Sequence, residues 1–260
     1  MHQLMRPYLT RKGVEISHAV ISAMGDTFKA DDPDEERLRA KARALVENME
    51  FDWSDLPREV RAVLEPFAAG AAADGLAQIE VAVATATDLA NERATEWARN
   101  RAAEMVGMKY DENGALVENP NANWAINEST RDMIGDLVTQ AIDEGWSNDR
   151  LAKEIGNDAA FSDARAEMIA RTETAMADVN GNLAAYKVAA ESGIEMQKEW
   201  MTGDDDLVSE DCAANQDEGP IGLDEAFQSG AQAPPEHPNC RCDLLPVRLA
   251  STDQDDQTEG

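Results

Sequence analysis

Cys212, His237, Cys240 and Cys242 are the residues of this chain whose types and spacing best suit chemistry. Three thiols and one imidazole make the donor set of a closed tetrahedral zinc site, in which four protein ligands leave no open position and the metal is structural. The spacing is C-x24-H-x2-C-x-C. In a strand, residues two apart point to one face, so Cys240 and Cys242 can reach the same ion. His237, across Pro238, can fold back toward Cys240, and Cys212 has to return over the 24-residue loop between it and His237. The same residues also fit ordinary reduced thiols in a small core, or a disulfide from Cys212 to Cys240 or Cys242. A three-ligand site with Glu236 as general base would instead be catalytic. Three cysteines do not close a disulfide framework, and together with a metal site they favour a reducing compartment.

A second constellation lies on a helix expected from Ser162 to Gly193. Met168, Thr172, Ala175, Val179, Leu183 and Tyr186 form its core stripe at three- and four-residue steps. Glu173, Ala177, Asn180, Gly181 and Ala184 run along another face. Glycine inside a helix costs about 1 kcal/mol relative to alanine, so Gly181 calls for a reason, such as the close approach of another backbone. Arg171, Glu173 and Asn180 fit either a catalytic Arg/Glu set or a structural polar clamp on the strand that follows, and the clamp is the simpler expectation. Asp204, Asp205, Asp206, Glu210 and Asp211 lack the glycine and terminal glutamate spacing of an EF-hand loop, which leaves a solvated acidic loop. The chain contains no G-x4-G-K-[ST], H-E-x-x-H or G-x-S-x-G pattern.

These groups must be held by a chain of 260 residues with 52 acidic and 23 basic side chains, a net charge of −29. Such a balance disfavours a nucleic-acid-gripping face and favours basic, metallic or protein partners. DNA contact is therefore disfavoured, the more so because Glu92, Glu96 and Glu104 interleave Arg93, Arg99 and Arg101. Five Trp, three Tyr and five Phe in the whole chain suit packed helices rather than a β-sandwich. No run of about 18 apolar residues and no apolar signal core is seen, so neither membrane nor secretion is expected.

The elements follow from periodicity and punctuation. Leu38, Ala42, Leu45 and Met49 give a helix over 33–50, and Pro57 and Pro66 bracket a short one. Residues 71–107 read as one long alanine-rich helix, up to about 55 Å at about 1.5 Å per residue. Asn113-Gly114 marks a small hairpin, and Asn119-Pro120-Asn121 a loop and domain boundary. Helices resume at Ser129 with a near capping box, and Ser147 and Ser162 cap two more. A strand is expected over 194–201, an acidic loop over 203–218, and a closing strand over 240–249. Residues 251–260 carry four acids and no base, the composition of a disordered tail. The fold class is thus α+β, mostly α: a helical N-terminal region (1–125) with a long alanine-rich helix, a C-terminal module of helices plus a small antiparallel sheet (126–248), and an acidic tail (249–260).

From about 126 to 248 the order of features resembles the phage Mu F-like head morphogenesis family, the minor head proteins of tailed phages. INESTRDMIGDLVTQAIDEGWSNDRLAKEI is similar to its lead-in helices, and ARAEMIARTETAMADVNGNLAAYKVAAESGI to its Ala-Arg-Thr-Glu helix. KEWMTGDDDLVSEDC resembles its Lys-x-Trp strand and Asp-containing turn. GPIGLDEAF and PPEHPNCRCDLLPV resemble its proline-containing loop and Asn-Cys-Arg-Cys ending. Members commonly carry histidine where this chain has Cys212, an exchange compatible with metal ligation, and an arginine shortly before it, near Ser209.

The resemblance implies a minor capsid protein, carried in few copies in the virion head or portal region and assembled in the host cytoplasm. Its partners would be the portal protein and the major capsid or scaffolding protein, and some relatives are thought to accompany packaged DNA. A structural, non-enzymatic role with a structural zinc is the expectation. The alternative is a metal-dependent enzyme, a zinc hydrolase or an Arg/Glu-dependent transferase, delivered with the virion.

Overall fold

A computed structural model describes residues 1–24, 35–81, 84–203 and 205–249. In chain order it contains α1 (His2–Met24), α2 (Glu35–Glu47), α3 (Leu56–Gln78), α4 (Ala84–Glu104), β1 (Met108–Tyr110) and β2 (Leu116–Glu118). Then come α5 (Ile126–Asp143), α6 (Asn148–Asn157), a 3-10 turn at Ala159–Phe161, α7 (Asp163–Glu191), β3 (Met196–Met201), α8 (Glu210–Asp217), β4 (Ile221–Gly222) and β5 (Asp243–Arg248). The class is α+β and mostly α, with small antiparallel sheets, as the periodicities indicate. No helix among the described residues is long and apolar enough to cross a membrane. The acidic tail beyond Leu249, together with Pro33, Val83 and Asp204, lies outside the described residues.

The chain divides into two compact units, one of Met1–Val60 with Asn100–Ala170, the other of Arg61–Arg99 with Arg171–Gly260. The boundary expected at 125/126 falls inside the first unit.

In the first unit, α1 buries Met5, Tyr8, Leu9, Ile16 and Val20. The Tyr8 ring stacks on Trp53 at 6.0 Å and its hydroxyl donates to Asp55 Oδ1 at 2.7 Å. Asn113-Gly114 sits in the turn between β1 and β2, which pair antiparallel with Lys109 opposite Val117. Arg165, 7% exposed, donates to Ser129 Oγ (2.7 Å), Thr130 Oγ1 (3.1 Å) and the Ala160 carbonyl (2.9 Å). Burial pulls this guanidinium down to about 10, opposed by Asp158. These bonds displace the cap expected at Ser129: α5 starts three residues earlier, after Ala125, and Ser129 donates back to the Ala125 carbonyl at 3.1 Å. Ser147 does cap α6, accepting from Arg150 N, and Ser162 accepts from Arg165 N at the start of α7.

The alanine-rich stretch 71–107 is helical in two pieces rather than as one rod. Val81 N returns to the Leu76 carbonyl at 3.0 Å and Glu80 adopts φ 59, a Schellman-type closure that ends α3 before α4 begins. At its other end α3 runs through Pro66 instead of stopping there. A proline lacks the N–H that would continue the ladder, but the rest of the 23-residue helix buries Leu64, Ala68, Ala71, Ala72 and Leu76, and packing outweighs that local loss.

In the second unit Gly181 of α7 faces α3. A Cβ built there would fall on the Ala68 carbonyl oxygen and lie 2.7 Å from Ala71 Cβ and 3.0 Å from Ala72 N. The glycine is the small residue that lets two helix backbones approach. Beyond α7, Gly193 (φ 92) turns the chain into β3, the centre of a sheet ordered β4-β3-β5. β5 pairs antiparallel with Trp200 opposite Leu244 and Lys198 opposite Pro246, a proline tolerated because β5 is an edge. The stretch expected as a plain acidic loop over 203–218 contains α8. Ser209 caps it by accepting from Cys212 N at 3.2 Å, and Glu210 and Asp211 in its first turn suit the positive helix end.

Candidate metal centre

α8 and the turn before β5 bring three sulfurs together. The Sγ atoms of Cys212, Cys240 and Cys242 all lie within 4.8 Å of one another, and Cys212 and Cys240 are 3.7 Å apart. A tetrahedral ion with Zn–S of about 2.3 Å sets its sulfurs about 3.8 Å apart, so this spacing is that of two ligands on one ion. A disulfide needs about 2.05 Å, and the three cysteines are free thiols. Cys212 and Cys240 are buried and Cys242 is partly so.

Each thiol is placed by local structure. Cys212 occupies the third position of α8, fixed by the Ser209 cap. Cys240 N donates to the His237 carbonyl at 3.1 Å, and Asn239 between them takes φ 62, a conformation asparagine tolerates better than most residues. The convergence of Cys240 and Cys242 therefore comes from a turn that precedes β5, not from strand alternation within 240–249. Asn239 N donates in turn to Thr172 Oγ1 of α7 at 3.0 Å.

His237 lines the same small cavity, about 20 Å³, with the three cysteines and Asn239, but it does not belong to the set of ligand atoms within 4.8 Å. Its Nδ1 is 3.0 Å from the Pro238 carbonyl oxygen. With the proton on Nδ1 the ring donates to that carbonyl and offers Nε2 as a free acceptor, the tautomer a metal-ligating histidine uses. Glu236, the candidate general base, accepts from Ser229 Oγ at 2.8 Å.

The electrostatics keep Cys212 and Cys242 protonated rather than as free thiolates. Burial pushes Cys212 up, and Cys240 beside it adds to the shift, while Ser209 opposes it. Burial likewise pushes Cys242 well up, and the Trp200 indole opposes it. Thiols held protonated in this way become good ligands only when a cation replaces their protons. Arg241, between Cys240 and Cys242 in the chain, forms a bidentate pair with Asp205 at 2.6 and 2.5 Å, is raised first by Asp205 and is also favoured by Cys242 and Cys240. Asp205 belongs to the 203–208 segment, whose Gly203 and Leu207 also line the cavity.

The other set expected from sequence lies along α7. Arg171 is exposed on α7, Glu173 is 4% exposed, and Asn180 donates to the Met176 carbonyl of its own helix at 2.8 Å. Two connections that sequence reasoning missed join α7 to β5 and to the turn after β4. Tyr186 Oη donates to the Leu244 carbonyl at 3.3 Å, and Lys187 pairs with Asp224 at 2.7 Å. Lys198 was missed as well. It is fully buried in β3 and its ammonium donates to the Leu223 carbonyl (3.0 Å), the Gln232 carbonyl (2.8 Å) and Gln232 Oε1 (3.3 Å). Its signal was available: with Met196 and Trp200 on the inner face, alternation puts Lys198 there too.

Residues 132–245 match the family described as Phage Mu protein F like protein. No curated protein and no solved structure matches the chain. The matched segment holds α7, β3, α8, β4 and all three thiols.

Proposed function

We propose that this chain is a minor capsid protein, present in few copies, that associates with the portal or the inner shell while the head assembles. The observation that carries this is the Mu F-like match over 132–245, which spans the ordered motifs from α5 to β5. A net charge of −29 suits docking on basic faces of portal, major capsid or scaffolding subunits, and makes a DNA-coating role the weaker choice. Glu173 and Asn180 belong in this reading to the holding structure of α7, with Arg171 beside them on the surface.

Within the matched segment, Cys212, Cys240 and Cys242 would hold a structural zinc, with Nε2 of His237, which lines the same cavity, as the fourth donor. Zinc there would tie α8 to the turn before β5, a covalent-strength link across a small sheet. The test of the assembly role is a pull-down with portal protein at physiological salt, alongside quantitative mass spectrometry of purified heads. Recovery of the portal and a few copies per virion support it. No portal recovered, and absence from heads, sinks it.

A further inference from the structure

Trp200 is the penultimate residue of β3, at 1% exposure, its ring edge-on to Phe227 with centroids 5.1 Å apart. Its indole Nε1–H is fully buried and has no hydrogen-bond acceptor among the described residues. An unpaired buried donor costs about 1–3 kcal/mol, and a buried tryptophan normally finds a partner for its N–H. The sheet register points to a partner. Trp200 lies opposite Leu244, and Cys242 lies two residues before Leu244, in the turn that leads into β5 at that end of the ladder.

We propose that the Trp200 indole N–H is the donor kept for the Cys242 sulfur in its metal-bound thiolate form, which makes Trp200 a positioning residue of the centre. This rests on the metal reading given above. A neutral thiol is a weak acceptor and leaves the indole unsatisfied; a thiolate is a strong one. Three converging sulfurs, two of them 3.7 Å apart, suit a thiophilic divalent ion.

The test uses the full chain, reduced and metal-free, titrated with Co²⁺, whose tetrahedral thiolate complexes absorb strongly in the visible and near ultraviolet. Three proteins are compared: wild type, Trp200→Phe, and a chain carrying benzothienylalanine at 200, which keeps the indole shape with sulfur in place of N–H. One Co²⁺ per wild-type chain is expected, with affinity about 10- to 100-fold weaker in the benzothienyl chain, the usual cost of losing an outer-sphere partner. In ¹⁵N-tryptophan-labelled protein, the indole N–H resonance of Trp200, identified by its loss in Trp200→Phe, should move downfield on adding Zn²⁺. Affinity within twofold of wild type in the benzothienyl chain, or an unmoved resonance, overturns the role of Trp200 and leaves the centre standing. Wild type that binds no Co²⁺ overturns the centre and this proposal together.

Discussion

The backbone N–H of Asn239 donates to Thr172 Oγ1 at 3.0 Å, across 67 residues of sequence. It joins the two most recognisable motif pieces, Ala170-Arg171-Thr172-Glu173 on α7 and Asn239-Cys240-Arg241-Cys242 before β5. The threonine of the first is the hydroxyl that holds the left-handed asparagine of the second, one residue from a thiol. Thr172→Val keeps the shape and removes the acceptor from a site that is 4% exposed. We expect a loss of about 1–3 kcal/mol in urea unfolding, because Asn239 N–H is left without its partner. Unchanged unfolding would show that water serves the amide as well.

Metal content follows from the sulfur geometry. Protein purified without chelator should carry about one zinc per chain by elemental mass spectrometry, as one closed site requires. Cys240→Ser with Cys242→Ser should abolish it. His237→Ala should keep the metal but bind it more weakly, since the ring stands outside the sulfur set. Metal-free parent protein with a normally folded double variant would remove the site.

Gly181→Ala tests the helix contact. Intrinsic propensity favours alanine by about 1 kcal/mol, yet the added methyl meets the Ala68 carbonyl of α3. Overpacking a tight contact costs about 1–3 kcal/mol, so we expect net destabilisation and a lower thermal midpoint. A midpoint raised by the substitution would mean that α3 moves aside freely.

Lys198 gives the stability a defined pH dependence. Burial, helped by Lys187, lowers it from 10.5 to about 8. Below about 8 both folded and unfolded chains carry the proton, and the folded state bears the full cost of a buried charge. Between about 8 and 10.5 the unfolded chain still binds the proton that the folded chain has released, so this residue makes stability rise with pH. Tyr8 and Tyr186 work the other way above 10, because burial keeps their phenols protonated in the folded chain. Lys198→Met should therefore flatten the rise between about 8 and 10 in denaturant midpoints, and be less stable at pH 7 because the Leu223 and Gln232 carbonyls lose their donor. Equal pH slopes in parent and variant would contradict the assignment.

Local signals made much of the fold legible. Ser147 and Ser162 cap where their types suggest, Gly145 and Gly193 take positive φ where helices end, and Asn113-Gly114 turns a hairpin. Gly181 announced a close backbone approach by its cost. Tertiary demands decided the rest. Ser129 looks like a cap, but Arg165, 36 residues later, recruits it, so α5 starts earlier. Pro66 looks like a stop, but its helix continues because the residues beyond it are buried. The three cysteines were legible as a set from type alone. Their grouping depends on α8 and on a turn at Asn239, neither of which hydrophobic periodicity reveals.

The second unit draws on residues 61–99 and 171–260, with 100–170 belonging to the other. During synthesis the first unit can close once the chain has passed residue 170, whereas α3 waits for α7 and the thiols come together only after Cys242 has emerged. Closing so wide a loop delays folding far more than it weakens the product. A fragment cut to the Mu F-like segment, 132–245, would carry Gly181 without the α3 backbone it accommodates. Exposed alanine and glycine surface on α7 would then favour aggregation, so a soluble fragment holding the matched segment needs residues 61–99 as well.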